Sequence, residues 1–207
     1  MAIEIKSGVS TDALTIEAVS KAARVIQYNL DGTYSGEKAT YRASTLIPFV
    51  PAVTINIPWF LIEGSASKTI IIKRIAVSGA TLTAVAYLAI NVVKFSTAAS
   101  GGTATSAPMV PMDSNFPAAT AAFVKYYTAI PTAGSTIGSI ATSRTLFQAT
   151  VAAAAGLTRD FVFDFGDMPE TKGIVLRGTT QGVGLIWPVV PASTVTLAVD
   201  IEWTEEA

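Results

Sequence analysis

The chain contains neither cysteine nor histidine. Their absence removes thiol nucleophiles, imidazole bases, disulfides and the usual zinc ligands at once. Charge is scarce too. Asp, Glu, Lys and Arg make up 14% of the 207 residues, where an ordinary globular domain carries roughly 25%. The net charge of -1 implies no broad attraction to nucleic acid or to an acidic membrane. There is no P-loop and no G-x-S-x-G elbow. The glycines at 178, 182 and 184 have the wrong spacing for a dinucleotide fingerprint. Without histidine, a serine triad would need a lysine base. The expectation is a protein that is not an enzyme, with no catalytic, cofactor-binding or metal-ligating residues.

Hydrophobic residues make up 50% of the chain, ample for a sizeable core in one domain. They are concentrated where charge is thinnest. Across residues 79–158 the only charges are Lys94, Asp113, Lys125 and Arg144. Residues 75–93 carry no charge over a length that could span a bilayer. However, Ser78, Gly79, Thr81, Thr83 and Asn91 interrupt that stretch, and β-branched residues crowd it. Buried strands are therefore expected, and no membrane partner. The opening MAIEIKSG lacks the apolar core and cleavage site of a signal peptide, so export by the general secretory route is not expected.

The apolar runs have the character of strands. KTIIIKRIAV at 68–77 is dense in β-branched residues, and Ser78-Gly79 breaks it. A second run extends to Phe95. β-branched and aromatic runs separated by Gly, Pro, Ser and Asn clusters mark strands and loops. Strands are expected at 53–57, 69–77, 85–95, 161–165 and 194–203, with others at 59–62, 123–130, 174–177 and 185–187. The 194–203 pattern is the clearest: Val195, Leu197, Val199, Ile201 and Trp203 alternate with polar or small residues. The acidic tail beyond Thr204 is expected to fray. Two short strands are favoured over a helix at 14–30, leading into the hairpin signal Asp31-Gly32. Residues 32–45 are polar and charge-bearing, and read as a loop or a join. Residues 134–144 read as a Gly/Ser/Thr loop. Roughly eight to ten strands with turns between them point to an all-β fold. The expected architecture is a β-sandwich of jelly-roll type at 46–207, with an extended N-terminal arm at 1–45.

The loop at 96–122 holds Gly101-Gly102 and prolines at 108, 111 and 117, which preclude a long regular element. It reads either as a partner contact or as a cover over a sheet edge. Asp160, Asp164 and Asp167 are the candidate carboxylate group. Spaced carboxylates can bind Ca²⁺ or hydrolyse glycosides, but alternate positions opposite a Phe stripe fit a solvated strand face better. Trp59, Trp187 and Trp203 could form a carbohydrate platform, though core packing suits residues on strands better. Of Tyr126 and Tyr127, at least one ring is expected to be exposed or at an interface. Lys68, Lys73 and Arg74 read as a small solvated cluster. In the 82–93 run, Leu82, Ala84, Ala86, Leu88 and Ile90 fall on one face and Val85, Tyr87, Ala89 and Val93 on the other. With both faces apolar, the second needs cover from loops, a second sheet or another subunit.

Four segments carry a resemblance: KRIAVSG at 73–79, KFSTAASGGT at 94–103, PMDSNFPAATA at 111–121 and YTAIPT at 127–132. Together with SKAARVIQYNLDG near the start and TLAVDIEWTEE at the end, the chain resembles structural proteins of tailed bacteriophages. The resemblance implies a non-enzymatic virion protein, a capsid decoration or head-fibre-like component. It implies a symmetric homo-oligomer, a trimer by preference, with other virion proteins such as the major capsid protein as partners. The alternative is a module of a phage tail or fibre that binds a host-surface carbohydrate.

Overall fold

A computed structural model of the chain describes residues 15–16, 23–24, 38–47, 55–81, 86–121, 123–147, 160–166, 173–191 and 194–206. The chain divides into two compact units, Met1–Lys38 and Ala39–Ala207. In the first, β1 (Thr15–Ile16) and β2 (Ala23–Arg24) pair antiparallel. These are two short strands, as expected for 14–30; the Asp31-Gly32 turn lies outside the described residues.

The second unit is all-β, with no helix among its described residues. Its strands are β3 (Ala39–Ile47), β4 (Pro58–Glu63), β5 (Thr69–Thr81), β6 (Ala86–Phe95), β7 (Thr103–Ser106), β8 (Met109–Pro111), β9 (Val124–Ala129), β10 (Thr136–Phe147), β11 (Phe161–Asp164), β12 (Ile174–Leu176), β13 (Gly182–Ile186) and β14 (Val195–Glu206). They form two antiparallel sheets, ordered β11-β5-β14-β3-β8 with β12 also on β5, and β10-β6-β13-β4-β9-β7. β3 to β6 alternate between the sheets, β10 returns to pair with β6, and β10, β11, β13 and β14 alternate again. The last two, β14 and β13, each enter the middle of one, between β3 and β5 and between β4 and β6. One buried cluster takes Tyr41, Ile72, Val77 and Trp203 from the first sheet and Phe60, Ile62, Ile90 and Val183 from the second. The two sheets thus share a core, an arrangement compatible with a β-sandwich.

β14 shows how sequence becomes sheet. Val195, Leu197, Val199, Ile201 and Trp203 are all buried, while Thr196, Ala198, Asp200 and Glu202 between them are partly exposed. A side-chain period of two on a strand covered on one face requires this pattern. β5 keeps it with one change of phase. Ile70 and Ile72 point inward, then Ile75 and Val77 do, with the register shifting opposite Glu202/Trp203. The extra residue at Lys73 is the bulge that moves the inward set from even to odd positions.

Five expectations need correction. Ser78-Gly79 does not end β5. A Cβ on Gly79 would sit 2.2 Å from the Thr196 carbonyl oxygen, so the glycine permits a close backbone approach inside the strand. Residues 39–45, expected within the join, belong to β3; their inward set is only Tyr41 and Ala43 before Ile47, too thin to stand out among Thr, Ser and Arg. Within 53–57, Ile55 and Asn56 form a turn, with Asn56 left-handed at φ 64 and its N–H donating to the Trp187 carbonyl at 3.0 Å; residues 53–54 lie outside the described set. Residues 136–144 are not a loop but part of β10, the edge strand of the second sheet. The tail does not fray, since Thr204 to Glu206 continue β14 between β3 and β5.

The position of β3 sets a test. A chain lacking residues 1–38 keeps every strand of the two sheets and is expected to unfold cooperatively with a β-type circular dichroism spectrum. A chain lacking residues 1–47 loses β3 and bares the edge of β14 from Leu197 to Glu205; it is expected to be insoluble or to lose the transition. Equal behaviour of the two truncations would show that β3 is dispensable.

Candidate functional site

The outer face of the first sheet faces water. Asp164, Arg74, Glu202 and Arg42 stand side by side across β11, β5, β14 and β3, so the row alternates in sign. Arg74 lies 3.4 Å from Asp164 and Arg42 lies 3.7 Å from Asp200, all with well-exposed side chains. Exposed pairs of this kind stabilise a fold by well under about 1 kcal/mol each. Their effect is to keep the face wet. Two of the three carboxylates read from sequence lie among the described residues. Asp160 is exposed, Asp164 is engaged with Arg74 opposite the inward Phe161 and Phe163, and Asp167 lies outside the described residues. Among the described residues no cluster of three or more potential metal ligands occurs.

The three tryptophans are buried. Trp203 stacks on Tyr41 with centroids 5.9 Å apart, and Trp59 stacks on Trp187 at 5.1 Å. They fill the core and leave no flat ring for a sugar to lie on. Tyr127 is buried as well, whereas Tyr126 is partly buried against the core. Lys73 lies beside Gly166, where a Cβ would meet its side chain, and Arg74 belongs to the charged row.

The outer face of the second sheet is different in kind. Leu61, Val93, Phe95, Tyr127 and Ile186 form a second buried cluster there, with Ala99 packed on it. Gly184 makes room for it, since a Cβ would come within 3.0 Å of the Phe95 ring. The apolar second face of β6 is thus covered in part by the chain itself. Beside this cluster Lys125 reaches Glu63 at 2.7 Å, both largely buried, with the ammonium 5.2 Å and 5.6 Å from the Phe123 and Tyr127 ring centres. Burial works to lower the Lys125 pKa, but the hydrogen bond and charge of Glu63 outweigh it and the net shift is upward. Burial raises the Tyr127 pKa against the opposing influence of Lys125.

The segment between β6 and β10 ties the two sheets together at one side. β7 joins the second sheet through β9, and β8 joins the first through β3. Of the two readings of this loop, cover over a sheet edge is therefore met at both sheets. Residues 117–121 then cross the end of the core. There the buried Glu205 carboxylate accepts hydrogen bonds from the Thr120 N–H at 2.8 and 2.9 Å, the Thr120 hydroxyl at 2.5 Å, the Ala121 N–H at 3.0 Å and the Trp203 indole N–H at 3.1 Å. The Tyr41 hydroxyl donates to the Pro117 carbonyl at 3.0 Å. Burial and then the nearby Glu205 charge raise the Tyr41 pKa. Glu205 occupies the next inward position after Trp203, so continuing the period of two past Trp203 was the signal that would have found it.

Among the uncovered parts of the second sheet are β10 and its neighbour β6. Tyr87 is 63% exposed, with the Arg144 guanidinium 5.2 Å from its ring centre. Ile137 and Ile140, toward the other end of β10, are exposed as well. Tyrosine, arginine and aliphatic residues together are the composition of a protein-contact surface. No protein-family model, curated protein or solved structure matches the chain.

Two measurements check the buried polar groups. Glu205→Ala leaves two backbone N–H groups and an indole N–H without their acceptor, and is expected to cost on the order of 3 kcal/mol in denaturant unfolding; a loss within experimental error would mean that the contact carries no weight. Tyr41, Tyr127 and Lys125 all have folded pKa values above their ordinary ones of 10.0, 10.0 and 10.5. As pH rises, the unfolded chain therefore releases these protons first. Their contribution is complete below about pH 10 and is lost above it as pH passes through the folded values. The melting temperature is expected to fall as pH rises past the ordinary values of these groups; Tyr127→Phe removes one of these titrations, so its fall should be shallower than that of the unaltered chain.

Proposed function

We propose that this chain is a non-enzymatic structural component of a bacteriophage virion, a capsid decoration or head-fibre-like protein that assembles as a symmetric oligomer. The finer fold reading is a jelly roll. It is supported by the two blocks β11-β5-β14-β3 and β10-β6-β13-β4, whose strands in chain order alternate between sheets except that β6 and β10 pair within one, and whose closing pair fills the middle of each. In this reading the segment between β6 and β10 is an insertion that lengthens both sheets at one edge. Residues 1–45 would include the arm that contacts another virion protein, such as the major capsid protein, with the part from Ala39 onward built into the first sheet.

The observation that carries the reading is where the phage-like segments fall. Residues 94–103, 111–121 and 127–132 follow one another along this insertion, from the end of β6 through β7 to the Glu205 contact and the end of β9. Residues 73–79 lie in β5, which pairs with the strand that carries Glu205. Three of the segments thus fall on one physical feature, a tied-down strap joining two sheets, and TLAVDIEWTEE at 196–206 lies in β14, which holds that strap through Glu205. The contrast between the faces supports assembly: one carries a charged, wet row, and the other ends in Tyr87, Arg144 and exposed isoleucines.

Immunogold labelling of purified virions with antibody against the chain tests the proposal. Label on the particle, at the head for a decoration protein, is expected. Virions that contain no trace of the chain by labelling and by mass spectrometry would overturn it.

A further inference from the structure

We propose that the edge of β10 that no described strand covers is the docking site for a second copy of this chain, which adds its own β10 antiparallel across a two-fold axis. The inference rests on the reading of the protein as a self-assembling component and gives that assembly a surface. It departs from the three-fold symmetry implied by the sequence resemblance.

β10 is the last strand of its sheet, and among the described residues β6 is its only strand partner. It is 12 residues long, about twice the usual strand. Solitary edges are normally short, charged or interrupted by proline, because a bare row of N–H and C=O groups recruits other strands. β10 contains no proline, and Arg144 is its one charge. Register shifts interrupt its first half, but from Ala141 to Phe147 it pairs with β6 without a break. That regular half is a template for a further strand.

A second copy suits this edge better than a charged partner. Antiparallel pairing about a two-fold axis is self-complementary, and the edge presents hydroxyl-bearing and aliphatic side chains. An axis through Ser143 sets Thr142 opposite Arg144 of the second copy, so like charges do not meet. Arg144 is already drawn over the Tyr87 ring of its own chain. Ile140, 41% exposed, lies three positions from the axis. The contact joins two sheets edge to edge and carries the Tyr87/Arg144 patch of each copy to the junction.

Sedimentation equilibrium on the full chain tests this against the double variant Ile140→Lys/Thr142→Lys and the control Val110→Lys. Both altered residues of the double variant are exposed, and Val110 lies at an edge of the other sheet. The unaltered chain and the control are expected to be dimers or even-numbered multiples. The double variant gathers four lysines at the axis, and its dissociation constant is expected to rise about 100-fold or more. Circular dichroism monitors its fold, and Thr142→Lys alone is read in the same way if the double variant loses its β spectrum. An oligomer that the lysines leave intact overturns the β10 contact but not the assembly reading. A trimer overturns the two-fold arrangement, and a monomer at high concentration overturns both.

Discussion

The sheet domain depends on the inward row of a single strand. β14 separates β3 from β5 and supplies Val195, Leu197, Val199, Ile201 and Trp203 to the core between the sheets. Each such side chain, fully removed from water, contributes on the order of 2 kcal/mol before chain entropy is counted. The row ends on a carboxylate instead of another hydrocarbon. A buried Glu205 is tolerable only because its oxygens meet N–H and O–H donors, and the strap at 117–121 brings most of them. The same strand therefore builds the core and fixes the insertion.

That arrangement links the fold to the functional reading. An insertion held by β7, β8 and β9 at two sheet edges, and by Glu205 across the end of the core, is a rigid feature and not a loose loop. Rigid surface segments bind with less ordering cost than mobile ones. The remaining surfaces divide by chemistry. Alternating charges keep the outer face of the first sheet in water, while the second sheet buries much of its outer face and leaves β10 with Tyr87, Arg144 and two isoleucines in the open.

Much of the fold was legible from period and composition, and what escaped did so for physical reasons. β5, β11 and β14 are covered on the core side, so their residues sort by face and the sequence displays the sorting; β6 buries residues on both faces and was legible as an apolar β-branched run instead. β10 lies at an edge with its described residues mostly in water, so nothing sorts Thr, Ser and Gly into two sets and the segment reads as a loop. β3 has an inward face too sparse to notice, and it is a strand because β14 offers it a full ladder. The strap is held by hydrogen bonds across 85 positions of sequence, and no local pattern encodes a partner that distant. Glu205 itself was visible in principle, in phase with Trp203, but an acidic chain end suggests solvent until its donors are seen.

The central claim is that the strap belongs to the cooperatively folded domain through a buried carboxylate. Native-state hydrogen exchange at the Thr120 and Ala121 amides measures this directly, because both donate to Glu205. These amides are expected to exchange only through the global opening that also releases β14 amides such as those of Val199 and Ile201. Exchange at the rate of an unprotected loop would contradict it, and would show the strap to be a loose cover that the sheets do not hold.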